Sequence, residues 1–289
     1  MLRAALRLAR PAALLVVAAV ATACVGTAGA AAPSPTPAPD PDRVVFRVDW
    51  AGGFVMPGTD LGRLPVVVVY ADGRVVVQGP QIEIWPAPLV PNLQVRTLTP
   101  EALARLVALA KDEGLLRDAH YEYPLIADAA TTVLTINVDG ATYRVSAYAL
   151  AEAGFDEDAA AGDLIDEATR EGRATLRAFI DTLTGLPDAD FADDWAPFEA
   201  VSVKLIATRV DQLPDENGEP VAWPLGDLDT AGVTVGDGSL GLRCIVVTGE
   251  DLDVLAPVLA VANTMTPFTS GGATFLLVVR PLLPGEAGC

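Results

Sequence analysis

Asp188, Asp190, Asp193 and Asp194 fall within one short stretch, LPDADFADDWAP. Clustered carboxylate oxygens are what calcium prefers. The spacing departs from the EF-hand loop, because Ala192 stands where an oxygen ligand is needed and no glycine or closing glutamate follows in place. The four aspartates are the candidate metal ligands and calcium the candidate ion. A solvated acidic linker is the plainer reading and is preferred. Asp156, Glu157 and Asp158 form a second acidic cluster that reads the same way. His120 is the single histidine, so any Ser–His–acid hydrolase site must use it. The nearest approach to Gly-x-Ser-x-Gly is DGSLG, Asp237–Gly241, with Asp237 where glycine is needed; it reads as a turn. Cys-x-x-Cys, dinucleotide and P-loop patterns are absent, and one histidine does not build a zinc site. A glycosidase needs two facing carboxylates, but among 38 acids some pair is always at hand. No catalytic residue is assigned. Trp50, Trp85, Trp195 and Trp223 could line a sugar or peptide face; packing, with the two Trp-Pro pairs as plugs at sheet edges, is preferred.

Three cysteines carry the remaining chemistry. Residues 1–23 have the layout of an export signal: Arg3, Arg7 and Arg10, then the apolar run Ala12–Val20, then small residues. Ala28-Gly29-Ala30 would suit an ordinary signal peptidase. Ala21-Thr22-Ala23-Cys24 resembles a bacterial lipobox, with Ala21 where leucine is usual, and would make Cys24 the lipidated first residue. If Cys24 carries lipid, Cys244 and Cys289 remain as a pair, and an oxidising compartment favours a disulfide between them. On a chain-entropy argument that bond stabilises by about 4 kcal/mol, less any strain. Residues 24–43 then form an anchor and tether. Its PSPTPAPDP segment cannot make helix or ladder hydrogen bonds, and at ~3.1 Å per residue it spaces the body about 28 Å from its anchor.

Formal net charge is −19, and removing residues 1–23 takes away three arginines and no acid, which leaves −22. Such a surface repels nucleic acid and anionic lipid, so a nucleic-acid partner is not expected. A hydrophobic content of 51% is too high for a disordered chain, and no run after Cys24 is long enough to span a bilayer.

Around these residues, VVFRVDW reads as a strand and PVVVVYADGRVVVQG as a hairpin turning at Asp72-Gly73. Ile82–Trp85 and Leu93–Leu98 are short extended candidates. Thr99 caps a helix that Gly114 stops. A second hairpin turns at Asp139-Gly140. The longest helix spans Asp163–Leu183, with Asp166 and Arg170 able to pair and Gly172 either weakening it or allowing close packing. The acidic loop Leu186–Pro197 is the expected domain boundary. Strands at 199–210, 243–248 and 273–280 follow, with a helix at 248–263 that Pro257 should kink or shorten. Trp85-Pro86 with Thr99-x-Glu, and Trp223-Pro224 with Thr248-x-Glu, form a weak internal echo of the kind a duplication leaves.

Hairpins and helices without βαβ alternation predict an α+β fold: largely antiparallel sheets, helices packed on one face, and two lobes, 44–186 and 187–289, that duplication could relate. The exported start, the YADG hairpin, the Trp-Pro pair, the Thr-x-Glu helix and the closing RPLLPGEAGC resemble uncharacterised secreted or lipoprotein families of high-GC Gram-positive bacteria. That resemblance brings no activity and no site residue. The expectation is an extracytoplasmic protein, anchored through Cys24 or secreted, that binds or scaffolds an envelope partner. A secreted hydrolase using carboxylates and a calcium-stabilised module are the alternatives.

Overall fold

The computed structural model describes residues 40–55, 58–153, 161–212, 219–236 and 238–289. Residues 1–39, which hold the expected signal segment, Cys24 and all but Asp40 and Pro41 of PSPTPAPDP, lie outside those residues, as do the Asp156–Asp158 cluster and Asp237. The β-branched runs become strands. In the first sheet these are β1 (Val44–Gly52), β2 (Val67–Tyr70), β3 (Arg74–Gln78), β4 (Leu93–Thr97), β5 (Ala119–Tyr121), β6 (Ala130–Val138), β7 (Ala141–Tyr148) and β8 (Ala196–Pro197). Their spatial order is β5-β7-β6-β1-β2-β3-β4-β8. The second sheet holds β9 (Ser202–Val210), β10 (Val221–Ala222), β11 (Val233–Thr234), β12 (Leu242–Thr248), β13 (Phe268–Ser270) and β14 (Ala273–Pro281), in the order β10-β13-β14-β9-β12-β11. Among the described residues only β5–β7 and β10–β13 pair in parallel. The fold is α+β with two largely antiparallel sheets.

The helices among the described residues are α1 (Thr59–Gly62), α2 (Pro100–Asp112), α3 (Glu167–Thr184) and α4 (Gly249–Val261). Thr99 caps α2, its side chain accepting from the Ala102 N–H at 3.2 Å. α2 and α3 cover one face of the first sheet. Leu106, Leu176 and Leu183 pack on Val48, Val67 and Leu134, and the Phe46 and Phe179 rings meet at 5.5 Å. α4 covers the second sheet, seating Leu255 and Leu259 on Leu205, Phe275 and Leu277. Gly172 sits where a Cβ would lie 2.2 Å from the Tyr121 ring, so glycine there permits close approach of α3 to β5. The hairpin turn at Asp139-Gly140 takes φ values of 53° and 77°, the positive pair that an Asp-Gly turn supplies.

Several expectations change. Ile82–Trp85 forms no strand, because the surrounding prolines withhold ladder donors. α3 begins at Glu167, not Asp163. Asp166 is spent as its cap, accepting from the Thr169 N–H at 2.7 Å, and Arg170 pairs with Glu167 instead. α4, with Pro257 inside it, ends at Val261, short of the expected residue 263, and its Thr248 cap makes no side-chain hydrogen bond, unlike Thr99. The two sheets are also wired differently. The hairpin after α2 docks on β1 through its first strand, β6, whereas the hairpin after α4 docks on β9 through its second, β14.

The acidic loop belongs to the first sheet. Ala192 N donates to the Thr97 carbonyl, and β8 pairs with β4. The passage to the second sheet therefore falls after Pro197. The lobes interlock through two further segments, and residues 39–289 form one compact unit. Leu89, between β3 and β4, is buried in the second sheet's core. The C-terminal tail returns to the first sheet, where Leu283 packs on Val68, Tyr70 and Leu93. There Glu286 takes both outer nitrogens of Arg280 at 2.6 Å each, Arg47 at 2.6 Å and the Leu283 N–H at 2.9 Å. Burial alone would raise the Glu286 pKa; the donors from Arg280, Leu283 and Arg47 outweigh it and hold the carboxyl at about 2. Burial, then the charge of Glu286, pushes the Tyr70 hydroxyl up, while burial and the nearby Arg280 push the Lys204 amine down. Cys244 and Cys289 are joined by a disulfide, with Cα atoms 5.6 Å apart, which pins the end of the same tail.

Candidate functional site

The segment between β3 and β4 reads GPQIEIWPAPLVPN, and its four prolines forbid regular structure. Both ends are fixed nonetheless. At the near end Gly79 N donates to the Asn92 carbonyl at 2.9 Å, and Asn92 Nδ2 donates to the Pro80 carbonyl at 2.9 Å. At the far end Leu89 N donates to Ala262 O at 3.0 Å, and Thr264 N to Ala87 O at 2.8 Å. Between these clamps Ile82, Ile84 and Trp85 are 62%, 53% and 75% exposed. The Trp85–Pro86 bond is cis. Trp85 is thus no sheet-edge plug; the clamps hold Leu89 in the core and leave Trp85 outside it. Its counterpart does pack: Trp223 is buried edge-on to Phe268, ring centroids 5.9 Å apart.

The position of this strip relative to the chain's entry follows from strand direction. The chain enters beside the Asp72-Gly73 turn, where Arg74 Nη2 donates to Asp42 at 2.5 Å. β3 runs away from that turn, and the strip follows its far end. Five residues of strand put about 17 Å between the two.

Three of the four aspartates flagged as metal ligands are engaged otherwise, and Asp194 is exposed. Arg96 Nη1 donates to Asp188 at 2.7 Å, Arg105 is bonded to Asp190, and the Asp193 carboxylate accepts the Thr97 N–H at 2.7 Å. That backbone donor holds Asp193 below the usual carboxylate range. Arg96 also lies 4.1 Å over the Phe191 ring. The cluster therefore fastens the loop to β4 and α2. No group of three His, Cys, Asp or Glu side chains suited to a metal occurs among the described residues. Composition displays the acids, but their arginine partners lie some 90 residues earlier.

Parallel pairing of β5 with β7 sets His120 beside Ser146. Ser146 Oγ lies 2.8 Å from His120 Nδ1, and Glu122 Oε1 lies 2.9 Å from Nε2. A serine, an imidazole and a carboxylate in line can move a proton off the hydroxyl. These groups stand on the open face of β5, however. The cavity beside that strand, about 210 Å³, opens on the opposite face between Tyr121, Val145 and Gly172. Ser146 was not legible as His120's neighbour, because only the long-range register brings them together. A wider groove, about 560 Å³, runs along α2 over Ala102, Leu106 and Leu109, with the Arg105–Asp190 pair at its side.

No helix among the described residues is long and apolar enough to cross a membrane. No family model, curated protein or solved structure matches the chain.

Proposed function

We propose that this is an exported envelope protein, held at the outer face of a membrane by lipid on Cys24 and a proline-rich tether, that works by binding a protein partner. The observation that carries the reading is the exposed Ile82–Ile84–Trp85 strip, clamped at both ends and set away from the point where the tether enters. Apolar surface in such a place lowers the free energy of a complex, not of the free fold. The disulfide suits an oxidising compartment. The carboxylates with displaced pKa values, Asp166, Asp193 and Glu286, are all displaced downward, which suits anchoring and capping acids; a general acid needs the opposite shift.

The test has two readouts on full-length protein in cells. Intact mass of the membrane fraction should give a chain beginning at Cys24 with added diacylglycerol. A photo-cross-linking residue at position 84 should trap one envelope protein, and the same residue at Thr142 should not. A soluble chain beginning near Ala31, with no adduct at position 84, would sink the proposal.

One observation favours a second reading, acyl transfer at Ser146. Ser146 Oγ would bond to an ester's carbonyl carbon while its proton passes to His120 Nδ1, and that proton would then leave with the alkoxide. Labelling of Ser146 by a fluorophosphonate, lost in His120→Ala, would support it; an unlabelled chain excludes it.

A further inference from the structure

After Asp253, helix α4 continues as VLAPVLAV with no charged residue. Leu255 and Leu259 account for its buried side. On the other side Val254 and Val261 are 51% and 86% exposed, with Ala256, Pro257 and Ala260 also in solvent. A helix that is apolar all round is normally covered all round; this one is covered on one side. Val254 and Val261 are seven residues apart and so share a face. The C-terminal end of α4 is bonded to the loop that carries the Ile82–Trp85 strip, two to four residues beyond Trp85: Ala262 O accepts the Leu89 N–H and Thr264 N donates to the Ala87 carbonyl. The charges on helix and strip are all negative: Glu250, Asp251 and Asp253 at the helix start, and Glu83 in the loop at the helix end. Neither 79–92 nor 249–268 contains a lysine or arginine.

We infer that the outward face of α4 and the Ile82–Trp85 strip form a single docking surface for a protein whose apolar face is edged with lysine or arginine. This rests on the partner-binding reading above and names the partner's chemistry. Acids at both ends decide against a second copy of this chain. Parallel pairing of two α4 helices would set the two acidic helix starts together, and antiparallel pairing would set Glu83 against the other copy's Glu250, Asp251 and Asp253. The same charges oppose an anionic lipid surface.

The test uses the full chain and two labelled helical peptides of equal length with the same leucine face, one edged with lysine and one with glutamate. Fluorescence anisotropy should show the lysine-edged peptide binding at least about tenfold tighter, and weakening as salt rises from about 0.05 to about 0.5 M. Val254→Asp and Val261→Asp should each weaken it about tenfold or more, with the melting temperature unchanged because both side chains are exposed. The triple change Glu83→Gln, Asp251→Asn, Asp253→Asn should abolish the preference for lysine while leaving apolar binding. Equal affinity for the two peptides would overturn the inference. So would concentration-dependent dimerisation by light scattering, or tighter binding to phosphatidylcholine vesicles than to the peptide. If Trp85→Ala releases the peptide and Val261→Asp does not, the helix has no part in the surface and only the strip reading survives. If neither does, both readings fail.

Discussion

Glu286 has four donors converging on one carboxylate that sits between the two sheets. Glu286→Gln removes the charge that Arg47 and Arg280 share and should cost about 3 kcal/mol in urea unfolding near neutral pH. The pH dependence has a definite sign. The folded pKa of about 2 lies below the ordinary value of 4.5, so the contribution is fully present above about 4.5 and disappears as pH falls toward 2. With solvent screening allowed for, about 2 kcal/mol should be lost across that window. Unfolding measured at successive pH values should show the wild type falling and Glu286→Gln falling less; parallel curves would refute the assignment. At this scale the disulfide pair was legible, because three cysteines leave a single pairing once the lipobox resemblance sets Cys24 aside. Glu286 was not, since its Arg47 partner is 239 residues away. His120 and Ser146 failed for the same reason.

Local elements announced themselves where a few adjacent residues decide them. Both Asp-Gly hairpins and the Thr99 cap formed as read, because turn and cap energies are settled within a few positions. Thr99→Ala should therefore cost about 1 kcal/mol, and Thr248→Ala, whose side chain caps nothing, close to none. Thermal melts of the two variants separate the cases, and equal losses would argue that the helices are capped alike after all. Gly172 turns helix propensity against itself. Alanine is the better helix former by about 1 kcal/mol, yet Gly172→Ala should destabilise by about 1–3 kcal/mol because Tyr121 occupies the Cβ position. In a Tyr121→Ala background the same change should be neutral or stabilising. The acidic loop was misplaced because a run of aspartates looks identical whether water or Arg96 and Arg105 receive it. The exposed strip was misread because alternation over Ile82–Trp85 imitates a strand when the flanking prolines are discounted.

For the whole molecule, fold class followed from element order, while the interlock of the sheets did not, since it is made by one loop and one tail crossing in opposite directions. The tail is held twice, by the disulfide to Cys244 and by Glu286. Cys289→Ser should cost up to about 4 kcal/mol, and combining it with Glu286→Gln should cost less than the sum, because both changes free one segment. Strict additivity in a double-mutant cycle would show the two fastenings to be independent. The tail also sets an order of events during synthesis. Arg47 belongs to β1, and the Glu286 carboxylate that neutralises it is made 239 residues later. The helix-covered side of the first sheet can close once α3 has been made, but its other side waits for Leu283 and Glu286. A chain cut short anywhere before Glu286 carries Arg47 without its Glu286 acceptor and Cys244 without its bond, so incomplete products differ from finished ones in a way that proteolytic quality control can detect.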